Sequence, residues 1–283
     1  MTVANDGGVA DRLRLLGEQA DTDIDLIEAA FLLSARDRPA LAIEPYQRHF
    51  EALGNAVSTY AGGSRGMPPL ALKREAMVQV ISRHYGYRGQ EDAAKDPDAF
   101  DLFRVVDCRA GSGEALALVY LIVGRQVGWP ISALAFPTRL LIRLEDDDEG
   151  QRMVLDAFAG GSELMPQDLR AILKSEEGNH AELVPGHFDA IGNRATLVRL
   201  LRARKRAYLV RNRLDDALDA VEAALLIAPR EAGLWRESGL LNARLDRVRD
   251  AVAALEEYLR HDAGEASRFN TSVLLQELRT RLT

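Results

Sequence analysis

The stretch from Glu114 to Val127 constrains this chain more than any other. Leu116, Val119, Tyr120 and Val123 recur at helical spacing, and Leu118, Leu121 and Ile122 fill the remaining faces. A helix apolar all round cannot lie on a surface, so other elements must enclose it. A chain of 283 residues, 47% of them hydrophobic, can do this within one large domain or two modest ones. The uncharged run from Ala115 to Gly124 is about half of the ~20 residues that a membrane span needs. The helix is therefore expected at the centre of a folded core.

The flanking segments supply candidates for that enclosure. Leu13, Leu15 and Leu16 open a short helix. Asp25 to Arg36 follows, with Leu26, Ala29, Ala30 and Leu33 on one face and Pro39 as its stop. Pro45 sits at a favoured first-turn position for a helix to about Tyr60, residues 61–66 read as a loop, and Pro68-Pro69 start a further helix. Residues 85–111 read as irregular. Beyond the apolar helix, Ile131 to Phe136, Leu140 to Leu144 and Met153 to Phe158 have the length and composition of strands. The acidic run from Glu145 to Glu149 joins the last two as a hairpin turn and lacks the spaced ligands of a calcium loop. Pro166 opens a helix to about Lys174. Residues 176–195, with Gly178, Pro185, Gly186 and Gly192, read as a linker.

From Thr196 onward a second pattern takes over. Ala217 and Ala251 stand 34 residues apart, the period of tetratricopeptide repeats. In that register Leu201 matches Trp235, Tyr208 matches Asn242, Val221 matches Leu255 and Ala224 matches Tyr258. Pro229 closes the first repeat, and Gly239 stands where the first repeat has Lys205. Small residues bring the paired helices close, and larger apolar ones fill the space between neighbours. Two repeats are marginal alone, since about three are needed for a stable stack. The final helix, from Ser272 to Leu282, and the preceding domain are expected to cover the two ends.

Charge and special residues narrow the function. Residues 196–283 hold 16 Lys/Arg and 13 Asp/Glu, whereas the chain as a whole carries −7. An acidic body with a mildly basic tail argues against general nucleic-acid binding. The densest positive segment, Arg199, Arg202, Arg204, Lys205, Arg206, Arg211 and Arg213, fits a solvated helix face or a grip on an acidic partner. The lone Cys108 excludes an intrachain disulfide, and residues 1–8 lack the blocks of a secretory signal, so a cytoplasmic location is expected. The five histidines, His49, His84, His180, His187 and His261, show no ligand spacing, and no metal or cofactor is expected. Gly111-Ser-Gly113 before the apolar helix has the look of a phosphate loop. No Lys-Ser/Thr pair follows, and Glu114 puts a negative charge where phosphate would sit, so a tight turn is the better reading.

Three stretches carry a resemblance. They are the helix end Leu118 to Pro130, the segment Phe136-Pro-Thr-Arg-Leu-Leu-Ile-Arg-Leu144, and the Asp-x-Phe-x-Gly-Gly signature at 156–161. With the repeats behind them, they make the chain similar to the transglutaminase-like branch of the SirB family over roughly residues 20–280. The resemblance implies a nucleophile at the start of the central helix, a His on the next strand and an Asp on the strand after that. In the SirB-like branch the nucleophile position is commonly Ser, and the His lies in a Pro-Gly-His-Phe motif. Here those positions fall on Ala115, Arg139 and Asp156. Ala115 has no reactive atom, and an arginine stays protonated and cannot serve as a base. Pro185-Gly-His-Phe188 repeats the four letters outside the strands and is taken as coincidence. Arg139 and Asp156 are expected on adjacent strands, joined as an ion pair.

The expected architecture is α+β and mostly helical. It combines a transglutaminase-like (papain-like) core holding a small antiparallel sheet with C-terminal tetratricopeptide-like repeats. The expected organisation is a helical segment at 1–65 packing on the core, the core at 66–175, the linker at 176–195, and repeats with a capping helix at 196–283. The expected function is a non-catalytic adaptor or regulatory protein binding a protein or peptide through Arg202, Lys205, Arg206, Trp235 and Asn242. The alternatives are a thiol hydrolase or acyl transferase using Cys108 with His84 or His187, and RNA binding through residues 199–213.

Overall fold

The computed structural model describes residues 6–63, 68–146, 150–261 and 265–281. Three helices, α1 (Asp6–Glu18), α2 (Leu26–Asp37) and α3 (Glu44–Tyr60), form the amino-terminal layer. Asp25 opens α2 by accepting the amides of Ile27 and Glu28, and Pro45 occupies the first turn of α3. α4 (Leu70–Met77) runs on into a π-helical turn, Val78–His84. The loop expected at 61–66 lies partly outside the described residues.

The stretch 85–111 is more regular than its composition suggests. It holds β1 (Arg88–Gly89), α5 (Leu102–Cys108) and β2 (Ala110–Gly111), with β1 and β2 paired in a short parallel ladder. α5 spans about two turns, too few for apolar periodicity to show. Its start is marked by Asp101, which accepts the amides of Phe103 and Arg104.

α6 (Gly113–Gln126) is the central helix, and every residue from Ala115 to Gly124 is buried. Beside it lies an antiparallel sheet of β3 (Ile131–Leu134), β4 (Ile142–Glu145), β5 (Arg152–Asp156), β6 (Ser162–Glu163) and β7 (Ala190–Ile191), in the order β6-β5-β4-β3-β7. Alternation divides its side chains. Ile131, Ala133, Ile142, Leu144 and Leu155 join the main core, whereas Leu134, Phe136 and Leu141 pack with Leu169 and Leu173 of α7 (Pro166–Glu177). A sheet covered on both faces explains why its strands read as continuous apolar runs. β3 and β5 stop earlier than expected, at Leu134 and Asp156, and a turn follows β5 at once. Glu145 pairs with Arg152 as the hairpin requires, and 147–149 of the acidic turn lie outside the described residues. Residues 176–195, featureless by composition, contribute β7, which adds to β3 at the sheet edge.

The repeats follow as α8 (Asn193–Val210), α9 (Leu214–Ile227), α10 (Ala232–Arg244), α11 (Val248–Arg260) and α12 (Glu265–Thr280). The 34-residue period appears in the backbone itself. Asn212 and Asp246 both adopt the left-handed conformation, with φ of 55° and 60°. The next amide closes each turn onto an equivalent carbonyl: Arg213 to Tyr208 at 3.0 Å and Arg247 to Asn242 at 2.9 Å. Ala217 and Ala251 are both fully buried at the helix crossings. α12 begins earlier than the expected Ser272, and its Leu275 and Leu278 cover Ala251 and Leu255.

One continuous cluster of buried residues runs from Val9 to Leu241, joining α1–α3, α6, the sheet, α8 and α9. Two ion pairs tie the amino-terminal layer to the first repeat: Arg36 with Asp219 and Arg204 with Asp37. No described helix is long and apolar enough to cross a membrane.

Candidate functional site

The start of α6 is closed by the chain itself. Ser112 is buried and its hydroxyl accepts the Ala115 amide at 3.1 Å, so the glycine-flanked serine is a helix cap. Glu114 adds a carboxylate to the first turn, where the helix dipole favours it. Ala115 is fully buried and presents only a methyl group.

Arg139 lies in the bend before β4 rather than on a strand, and Asp156 ends β5. The ion pair expected between them is present: Arg139 Nη1 stands 3.1 Å from Asp156 Oδ2. Its Nη2 donates to Glu176 Oε1 on α7 at 2.6 Å. Burial opposes the charge, but Glu176 and Asp156 outweigh it and hold the guanidinium above its ordinary pKa. Asp156 has a second task. Its Oδ1 accepts the Phe158 and Ala159 amides at 2.9 and 3.4 Å, and its carbonyl accepts the Gly161 amide at 2.9 Å. Gly160 and Gly161 follow with φ of 68° and 79°, a turn that side-chain-bearing residues enter only with strain. The Asp-x-Phe-x-Gly-Gly signature is thus a structural turn here. Asp156→Asn is expected to lower the unfolding free energy by about 1–3 kcal/mol in urea denaturation, because the pair with Arg139 is lost in a buried setting. An unchanged midpoint would show that the pair stabilises nothing.

Beside this node a cleft of about 870 Å³ opens between the β3–β4 loop, the first half of α8, the end of α1 and the α9–α10 turn. Arg199 crosses it to the loop that carries Arg139, donating to the Pro137 carbonyl at 3.1 Å. Burial pushes the Arg199 guanidinium below its ordinary pKa, with Glu114 opposing and Arg206 reinforcing.

The expected partner-binding residues fare differently. Arg206 lines the cleft, is exposed, and has no carboxylate partner among the described residues; the same holds for Arg230. Arg202 also lines it but pairs with Glu231 and Glu237, both at 3.2 Å. Lys205 is held by Glu237 at 2.7 Å. Trp235 is half-buried, and its indole donates to the Pro229 carbonyl at 2.7 Å. Asn242 is corrected to a packing residue: it is 4% exposed and its amide donates to the Ser238 carbonyl at 3.1 Å. The rest of the basic segment is also spoken for. Arg204 is buried against Asp37, Arg211 lies 3.6 Å from Asp96, and Arg213 lies 2.7 Å from Asp216.

Residues 44–202 match the family model described as the transglutaminase-like superfamily. The chain belongs to this superfamily. Residues 205–276 match a tetratricopeptide-repeat model, so the repeats complete the pattern. A UPF0162 protein of Xylella fastidiosa is 28% identical over 246 residues, covering 84% of each chain. The UPF0162 protein YchA of Escherichia coli is 28% identical over 202 residues, covering 71% of this chain and 74% of its own. Protein SirB1 of Salmonella typhimurium is 25% identical over 185 residues, covering 65% and 68%. The resemblance to SirB proteins with carboxy-terminal repeats holds. A crystal structure of menin covers 91% of this chain and 71% of its own, at a TM-score of 0.40 and 12% identity, too loose to support anything further.

The thiol alternative would use Cys108 with His84 or His187. Cys108 is exposed at the carboxy-terminal end of α5 and makes no hydrogen bond among the described residues. His84 packs edge-on against Tyr85, and His187 against Phe136. The Pro185–Phe188 segment forms a single 3-10 turn ahead of β7. No group of three or more His, Cys, Asp or Glu side chains suited to a metal occurs among the described residues.

His49 titrates unusually. Burial and the neighbouring Arg109 push its pKa down to about 4, so the folded protein keeps the ring neutral. Between the ordinary value of about 6.5 and 4 the unfolded chain binds the extra proton. Stability from this residue is therefore present above pH 6.5 and lost as pH falls toward 4. Thermal melts from pH 7.5 to 4.5 are expected to show a shallower decline in His49→Asn than in the unsubstituted protein; parallel curves would contradict this.

Proposed function

We propose that the chain is a non-catalytic adaptor: a transglutaminase-like domain without its chemistry, fused to a short repeat array that binds a protein partner with an acidic surface. The cleft carries this reading. It joins the two modules, and although Glu18, Asp21 and Glu231 also line it, Arg206 and Arg230 stand in it without carboxylate partners among the described residues, with Arg199 spanning it to the Pro137 carbonyl. Ala115 and the doubly paired Arg139, at the positions of nucleophile and base, support the loss of catalysis. Internal pairing of Arg202, Arg204, Lys205, Arg211 and Arg213 leaves no continuous cationic stripe for RNA, which favours a protein partner. A single cysteine and an ordinary globular composition fit work in the cytoplasm.

The test is quantitative affinity capture with the full chain and with the double variant Arg199→Glu, Arg206→Glu. Partners held by the cleft are expected to lose about tenfold or more in affinity and to dissociate with salt. Capture that the double variant leaves unchanged would overturn the cleft as the contact. Rapid labelling of Cys108 by a thiol probe, with an acyl-transfer activity that Cys108→Ser removes, would overturn the non-catalytic reading.

A further inference from the structure

A second cationic centre is built from three elements. Arg109 follows α5, Tyr85 and Tyr87 follow the π-helical turn, and His49 stands on α3. Arg109 Nη1 donates to the Tyr87 hydroxyl at 2.8 Å and meets His49 Nε2 at 2.6 Å; the Tyr87 hydroxyl and His49 Nε2 are themselves 2.8 Å apart. The guanidinium carbon lies 5.1 Å from the centre of the Tyr87 ring and 6.0 Å from that of Tyr85. Tyr87 is 1% exposed, so one side of the cation is dry, while Arg109, His49 and Tyr85 are only half-buried.

Several other half-buried arginines of this chain face carboxylates: Arg36 has Asp219, Arg38 has Asp101, and Arg139 has Asp156 and Glu176, whereas Arg74 and Arg199 form no ion pair among the described residues. Arg109 has only neutral acceptors, a phenol and an uncharged imidazole. Asp107, two residues earlier, accepts the Tyr46 hydroxyl at 3.2 Å and makes no ion pair with Arg109 among the described residues. The neutral acceptors occupy Nη1, the His49 ring flanks Nη2, and Nε donates to nothing among the described residues. That open edge suits the two oxygens of a carboxylate or a phosphate.

The backbone is arranged to hold the side chain there. Arg109 is left-handed at φ 54°, where glycine would end the helix with less strain, so the turn alone does not call for arginine. Its carbonyl accepts the Arg88 amide at 3.0 Å, which fixes Tyr87 beside it. The π-helical turn delivers Tyr85, whose amide reaches back to Val80 at 2.9 Å; such turns are frequent at functional sites.

We propose that Arg109, framed by His49, Tyr85 and Tyr87, is a binding site for a small oxyanion group, a carboxylate or a phosphate, separate from the protein-binding cleft. The test titrates the full chain at pH 7.5 and constant ionic strength with inorganic phosphate and, separately, with citrate. The imidazole NMR signals of His49 and the calorimetric heat are followed together. One of the two anions is expected to shift the His49 signals saturably. Arg109→Gln is expected to weaken that anion by about tenfold or more, Arg109→Lys by less because the charge is kept although the fork geometry is lost, and Arg199→Gln with Arg206→Gln not at all. The stronger anion identifies the source chemistry. Absence of a saturable His49 shift with both anions overturns the proposal without needing any variant to fold. So does binding that the cleft variant removes and Arg109→Gln leaves intact.

Discussion

Arg204→Ala is expected to cost about 1–3 kcal/mol of unfolding free energy, because it removes a buried guanidinium and leaves the partly exposed Asp37 carboxylate unpaired. Arg204 is 8% exposed and grips Asp37, with Asp101 also within electrostatic reach. Burial already pushes the Asp37 pKa up, and Arg204 is the main counterweight. For a carboxylate with a raised folded pKa, the native state holds more protons than the unfolded chain above the ordinary value near 4. Stability from Asp37 therefore falls as pH rises through that window, and the fall is steeper without Arg204. Urea denaturation at pH 5 and pH 8 checks both the size and the slope. Replacing both partners, Arg204→Met with Asp37→Leu, is expected to recover most of the loss. A single variant as stable as the parent, or steeper loss at low pH, would contradict the assignment.

Gly239→Ala is expected to cost about 1–3 kcal/mol through overpacking. A methyl at Gly239 would stand 2.6 Å from Leu255 Cγ and Cδ2, across the α10–α11 crossing. The first repeat solves the same crossing differently, with Lys205 opposite the smaller Val221 in equivalent positions. Leu255→Val should therefore relieve part of the Gly239→Ala penalty, giving a double variant more stable than the sum of the two singles predicts. Thermal melts of the two singles and the double decide it. Strict additivity would mean that the helices separate rather than exchange volume.

The sequence foretold what period and pattern can express. The buried helix announced itself by apolar residues on every face, and the repeats by Ala217 and Ala251 in register. The ion pair of Arg139 with Asp156 followed from two motif positions known to converge. What stayed hidden was short or distant. β6 and β7 have two residues each, below any detectable alternation. The basic segment looked uniform on paper, yet only neighbours from elsewhere decide that Arg204 is buried and Arg206 free. Asn242 shares its register position with Tyr208, which marked a repeat contact without saying whether it faces solvent. The frame around Arg109 draws on residues 49, 85, 87 and 109, whose meeting depends on a π-helical turn that no spacing rule anticipates.

The ties from Arg36 to Asp219 and from Asp37 to Arg204 span sequence separations of 183 and 167 residues. They also impose an order of events on synthesis. α1 packs chiefly on α2 and α9, so its apolar face has to wait for the first repeat to leave the ribosome. At ordinary elongation rates that interval is roughly 10–40 s. Through it, Val9, Leu13 and Leu16 lack part of their final cover, and a nascent chain stalled before α9 is the species most exposed to aggregation or to a chaperone.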